Sequence, residues 1–375
     1  MIVAPLAALL LAAAPVTQPE LMALGSRIAA DYAAGRDGLT QLMDIDGLLD
    51  RTLVGVPASE EFLRGFRNGA KKTTIPMGAN LLKEAKAGGA IAFRSLGRNG
   101  GEDVIRIRLL SAGGAFNYFE LFTARGGGGA LRVVDVYDLA DGGTLSATIR
   151  RLALMALAES KQGFFDRLGG KEQVFLKSAA TIKKMTLARA EGRHADVLSI
   201  YETLPREIQE EPVFMRQVVY ASMELDQEKY RRAMERYIRR HPDDPAANVM
   251  AIDACFLRKD WAGAYKAIDG VERHVGTDDG WLALLRGSVA KTAGDLRGAK
   301  SSFEQAARRE PSLTQAHANL LDLALGAKDW AAAARALAGL EQAGQPIADL
   351  RKVEGFEGFV ASKEGKAFLK RKKAR

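Results

Sequence analysis

Residues 281–311 read WLALLRGSVAKTAGDLRGAKSSFEQAARREP. Within this stretch Gly287, Ala299, Phe303, Ala306 and Pro311 fall at the spacing of the small, aromatic and terminating positions of a paired-helix repeat about 34 residues long. A unit of this kind cannot bury its apolar face alone. One good copy therefore implies stacked neighbours and, with them, an extended surface able to hold something.

The neighbours can be read on both sides. Upstream, VFMRQVVYASMELDQEKYRRAMERYIRRHPDDP (213–245) carries Ala221, Tyr230, Met234 and Tyr237 near the repeat positions and breaks at Pro242, and AANVMAIDACFLRKDWAGAYKAIDGVERHVG (246–276) repeats the shape with Ala264 and Ile268. Downstream, AHANLLDLALGAKDWAAAARALAGLEQAGQP (316–346) has Ala333 and Leu337, and a degenerate early unit, KKMTLARAEGRHADVLSIYETLP (183–205), has Gly192 at its turn and Pro205 after it. RKDWAGAY and AKDWAAAA place Trp261 and Trp330 about two repeat lengths apart, in matching positions. These Trp and Ala residues read as packing elements, small residues letting helices approach while an aromatic fills the next hole. The pattern over residues 177–346 resembles the tetratricopeptide repeat, with about five units. That resemblance implies an all-α superhelix whose groove binds a protein or peptide partner. It carries no particular groove residue, because the paired Lys, Asn and Arg clamps of some members are missing here.

The N-terminal part has a different period. LMALGSRIAADYAAG (21–35), MDIDGLLDRTLVG (43–55) and SEEFLRGFRNGAKK (59–72) read as helices, the last opened by Ser59 as N-cap. From Ala90 to Leu139 four strand-like runs follow, AIAFRSL, DVIRIRLL, AFNYFELFTA and LRVVDVYDL, separated by RNGGE, AGG and RGGGG. Alternation places Ile105, Ile107, Leu109, Phe119, Leu121, Val134 and Val136 on a face that should meet the helices. Arg106, Arg108, Tyr118, Glu120, Asp135 and Tyr137 then share the other face. The fold expected is an α+β N-terminal domain, helices packed on a curved antiparallel sheet, followed by the all-α repeats. The order of helices and then a meander, together with LRVVDVYDLADGGTLSATIRRL (131–152), resembles the nuclear transport factor 2-like superfamily and, at its end, periplasmic phospholipid-shuttle proteins. Cone-shaped sheets of that superfamily often enclose a pocket, and the resemblance implies an isomerase, a dehydratase, a lipid carrier or an adaptor alike, since the fold alone does not choose. The expected division is 1–17 signal peptide, 18–151 α+β domain, 152–176 connecting helix, 177–346 repeats, and 347–375 C-terminal helix and basic tail.

Composition narrows the classes. Hydrophobic residues are 47% and charged residues 27%, enough apolar material for packed cores. Most of the net charge of +8 sits in one place, where Lys363, Lys366, Lys370, Arg371, Lys372, Lys373 and Arg375 stand against Glu364. Charge confined to a tail reads as a solvated basic segment, and no nucleic-acid recognition motif accompanies it. The opening MIVAPLAALLLAAAP resembles the apolar region of a secretory signal without its basic start, so a periplasmic or secreted location is expected, with cytoplasmic the other option. No stable membrane span follows it. Cys255 is the single cysteine and falls near a small-residue position of a repeat helix, which makes it a buried structural thiol.

Chemistry is hard to find. His194, His241, His274 and His317 are scattered through the repeats with no i, i+3 or i+4 pairing, so no metal site is expected. RGGGGA and RNGGED lack the trailing Lys and Ser or Thr of a phosphate loop and lie between strands, and no Ser sits in GxSxG. No cofactor is expected. The candidate pocket residues are Tyr118, Glu120, Asp135 and Tyr137, whose carboxylates could serve an isomerase or hydrolase if burial raised their pKa. Arg106 and Arg108 on the adjacent strand could instead neutralise them. The leading reading is a non-enzymatic, exported scaffold that holds a protein or peptide partner with its repeats. The competing one is a carrier of a lipid or other hydrophobic ligand in the N-terminal domain.

Overall fold

The computed structural model describes residues 15–73, 76–159, 170–276 and 278–373. The chain forms two compact units that divide between Tyr230 and Arg231. The apolar leader lies, as far as Ala14, outside the described residues.

The first unit opens with four helices where three stretches read as helical. Helix α1 (Gln18–Ala33) begins with Glu20 accepting the Thr17 amide at 2.9 Å and stops before Gly35, whose φ of 71° suits a residue without a side chain. Helix α2 (Ile45–Leu53) is capped by Asp44, and α3 (Glu60–Lys71) by Ser59, which accepts the Phe62 amide at 3.2 Å. The additional helix is α4 (Met77–Lys86).

Five strands follow in sequence order, each antiparallel to the next: β1 (Ala90–Asn99), β2 (Glu102–Leu110), β3 (Phe116–Arg125), β4 (Leu131–Asp138) and the two-residue β5 (Gly143–Thr144). The Gly-rich breaks are hairpin turns, and Gly100, Gly101, Gly114 and Gly129 all have positive φ. One face of the sheet packs Ile105, Ile107, Phe119, Leu121 and Val136 against Leu21, Leu24 and Ile28 of α1 and Leu81 of α4. At about 1.5–3 kcal/mol for each fully buried aliphatic or aromatic side chain, this layer contributes substantially to the stability of the domain.

Val134 departs from the expected alternation. The β3–β4 register pairs Phe122 with Asp135 but Thr123 with Val133, a bulge that leaves Val134 without a partner in the ladder. Val133 consequently joins Val136 in the helix-facing core, while Val134 packs with Val104 and Phe122 on the opposite face, where α2 approaches it at Gly47. A second register shift, between Phe93 and Ser95, adds to the curvature of the sheet.

After the sheet the chain is helical: α5 (Leu145–Glu159), α6 (Gly170–Lys177), α7 (Ala179–Ala190), α8 (His194–Glu202), the one-turn α9 (Arg206–Gln209), α10 (Pro212–Met223) and α11 (Gln227–Arg240), inside which the two units divide. The second unit continues with three hairpin pairs. These are α12 (Pro245–Arg258) with α13 (Trp261–Val275), α14 (Gly280–Thr292) with α15 (Leu296–Arg309), and α16 (Thr314–Gly326) with α17 (Trp330–Gln342). First helices starting at Pro245, Gly280 and Thr314 keep a period of about 34 residues. Ala299, Phe303 and Ala306 are fully buried, and Gly287 is where the Phe303 ring lands.

The C-terminal segment ends in α18 (Glu357–Ala361) and α19 (Lys363–Lys373). Phe368 of α19 is buried against Phe359 of α18, whose ring also meets Trp330 of α17, so an apolar residue anchors the charged helix. Lys363, Lys366 and Lys370 stay exposed, and Arg371 reaches Glu341 at 3.2 Å.

Candidate functional site

The four residues singled out on the sheet lie together on the face opposite the helix core. Arg106 lies against Gly97, where any side chain would collide with its guanidinium, and from there donates to Glu120 Oε1 at 2.8 Å. Glu120, 2% exposed, also accepts from Asn99 at 2.7 Å. Asp135 accepts from the Ser146 amide at 3.0 Å and from the Ser146 hydroxyl, with Arg51 Nε 3.6 Å away. Tyr118 is buried with its ring edge-on to Phe116, and Tyr137 packs on the Val104, Phe122 and Val134 cluster. Both carboxylates therefore have cationic or hydroxyl partners and serve to tie strands and helices together.

The larger cavity of the first unit, about 730 Å³, is on the other side of the sheet, and none of these four residues lines it. The reason is the two-residue strand period. Leu109, Phe119 and Val136 line the cavity, so their neighbours in sequence face away from it. The opposite wall comes from α4, α5, α6, α7 and α10, including Leu81, Met155, Phe175, Ile182 and Phe214. Charged groups meet at one part of it. Asp138 accepts from Asn117 at 2.8 Å, and its carboxyl is held above the usual range by burial, with Asp141 adding to the effect. Tyr220 donates to the Ala140 carbonyl at 3.0 Å, and burial, with help from Asp141 and Asp138, pushes its hydroxyl up to about 12. Arg216 is 1% exposed beneath the turn at Gly142, whose missing side chain leaves room for the guanidinium. These residues come from β3, β4, α10 and the turn between β4 and β5, and no spacing in the sequence marks them as neighbours. The only local sign is an arginine inside an otherwise apolar helix, as in VFMRQVVY and TIRRLALMA.

In the second unit a groove of about 700 Å³ runs along α15, α16 and α17. Leu320 and Leu323 of α16 lie along it, and Leu296, 57% exposed, stands at the start of α15. Two of its cations are engaged: Lys291 pairs with Asp322, and Lys300 lies 4.0 Å from Asp329. Arg308 and Arg335 are exposed, and among the described residues neither has a carboxylate within ion-pair distance. His317, one of the four scattered histidines, contacts the Pro311 carbonyl at 3.0 Å and fills the space over Gly339, a packing role. Cys255 is buried near Asp260 and Arg258, and burial pushes its thiol pKa up.

Fold and site together define an α+β domain joined to tetratricopeptide-like helix pairs, with an open groove along the pairs. No described helix is long and apolar enough to cross a membrane. No family model matches the chain, and no curated protein matches it. Among solved structures it is similar to "MamA 41-end from Desulfovibrio magneticus RS-1", 15% identical at a TM-score of 0.39 over 45% of this chain and 95% of that one. It is also similar to "MamA MSR-1 C2", 14% identical at a TM-score of 0.35 over 45% of this chain and 95% of that one. At such TM-scores the likeness carries no functional argument.

Proposed function

We propose that the protein is a non-enzymatic scaffold whose repeat groove binds a protein or peptide partner. The observation that carries this reading is the groove of the second unit, where exposed Leu296 and half-buried Leu320 and Leu323 lie beside Arg308 and Arg335. Apolar anchors next to cations that lack an internal counter-charge suit a segment bearing both apolar and acidic side chains. Reversing both charges, Arg308→Glu with Arg335→Glu, is expected to abolish co-purification of the partner from cells that make the protein. Recovery of the same partner in the same amount by the reversed variant would rule this groove out.

Export belongs to the same proposal and rests on the apolar opening of the sequence. Fractionation followed by N-terminal sequencing tests it, the expected result being a shortened chain outside the cytoplasm. A second reading, a carrier of a lipid or other hydrophobic ligand in a nuclear transport factor 2-like domain, has a separate observation in its favour: the cavity beside the sheet, about 730 Å³ and within the size range of ligand pockets.

A further inference from the structure

The cavity beside the sheet has a feature that an apolar ligand alone does not use. Arg151 of α5 lines it, half-buried, beside Leu152 and Met155. Its neighbour Arg150 is fully engaged, donating to the Val54 carbonyl at 2.6 Å and to Glu172 at 2.7 Å. Among the described residues Arg151 makes no hydrogen bond or ion pair; the field of Glu211 supports its charge and that of buried Arg216 opposes it. Arg189 of α7 also lines the cavity, exposed, with its guanidinium 5.7 Å from the centre of the Tyr220 ring. The lining carboxylates do not supply the missing partner: Asp138 is occupied by Asn117 and by the Asp141 amide at 3.1 Å, Asp141 is exposed, and among the described residues neither Asp141 nor Glu84 makes an ion pair with Arg151.

A guanidinium withdrawn from water without an acceptor is costly, and an incoming anion would relieve that cost. We propose that this cavity binds an amphiphile with a single anionic head group, the head taken by Arg151 and Arg189 and the apolar chain laid against Phe119, Val136, Phe175 and Phe214. The inference rests on the second reading above, that the cavity holds a hydrophobic ligand, and adds the charge of that ligand. A carboxylate and a phosphate head share the required chemistry.

The test is titration calorimetry of the full chain with dodecanoate, dodecyl phosphate and dodecanol, each below its aggregation concentration. At least one anion is expected to bind roughly tenfold or more tightly than the alcohol, as loss of a charge-assisted bond implies. Arg151→Gln should weaken binding of that anion severalfold or more while leaving dodecanol unchanged, and the double variant with Arg189→Gln should bring the anion down to the level of dodecanol, which a merely structural role of Arg151 would not do. The tighter of the two anions identifies the head group. Equal binding of dodecanol would overturn the anionic head while leaving the hydrophobic cavity, and failure of all three to bind would overturn both. Should Arg151→Gln fail to fold by circular dichroism, Arg189→Gln at its exposed site makes the same comparison.

Discussion

At the scale of the residue, the turns inside the helix pairs repeat one geometry with different amino acids. Lys259 and Lys328 have φ of 56° and 54°, where a side chain is strained, and Gly294 holds the same place with φ of 84°. The aspartate after each, Asp260, Asp329 and Asp295, caps the second helix by accepting an amide from three residues on. Replacing Lys328 with glycine is expected to raise stability by about 0.5–1 kcal/mol, and Asp295→Ala to lower it by about 1 kcal/mol, both read by urea denaturation. Two other glycines separate space from conformation. A methyl at Gly287 would lie 2.4 Å from the Phe303 ring, which is fully buried, so Gly287→Ala should cost about 1–3 kcal/mol despite the helix preference of alanine. Gly326, near the end of α16, has nothing within 4 Å, and Gly326→Ala should stabilise by up to about 1 kcal/mol. If both substitutions shifted the denaturation midpoint in one direction, the packing argument would fail.

At the scale of the element, Asp37 shows how the helical wall of the cavity is fixed. Burial raises its carboxyl pKa, but bonds from the Thr40 hydroxyl, the Thr40 and Leu39 amides and the Tyr32 hydroxyl outweigh that and hold it below the ordinary 3.8. Tyr32 also donates to the Gly78 carbonyl at 3.3 Å, so α1, the turn after it and α4 are joined at one point. A depressed folded pKa means that the contribution is present above the ordinary value and is lost as pH falls through the folded one. Asp37→Asn should therefore be less stable than wild type near neutral pH, by about 1–2 kcal/mol, with the gap narrowing as pH falls below the ordinary 3.8. Denaturation series at the two pH values check this, and a gap constant with pH would contradict it. Strands were readable in the sequence because hairpin glycines and alternation agree. Val134 was not, since a bulge is a two-against-one pairing and shows only once both strands are aligned. Helix α4 is weakly marked in the sequence because its apolar stripe, Met77, Leu81, Leu82 and Ala85, spans only ten residues and has Gly78 in its first turn.

At the scale of the molecule, the two parts differ in how far their function can be read from sequence. Helix pairs announce themselves because each repeats a local pattern, and Gly287, Ala299 and Phe303 do in the structure what their spacing implies. The cavity gives no such notice. Phe119, Asp138, Arg151, Arg189 and Arg216 are brought together only by folding, while Glu120 and Asp135 on the other face are held by Arg106, Asn99 and Ser146. Site-specific photo-crosslinking in the native cell tests the groove of the second unit most directly. A photoreactive residue at Leu296 or Leu323 should capture one discrete partner, while the same residue at exposed Lys266, outside the groove, should capture none. Equal capture from Lys266, or none from either groove position, would contradict the account.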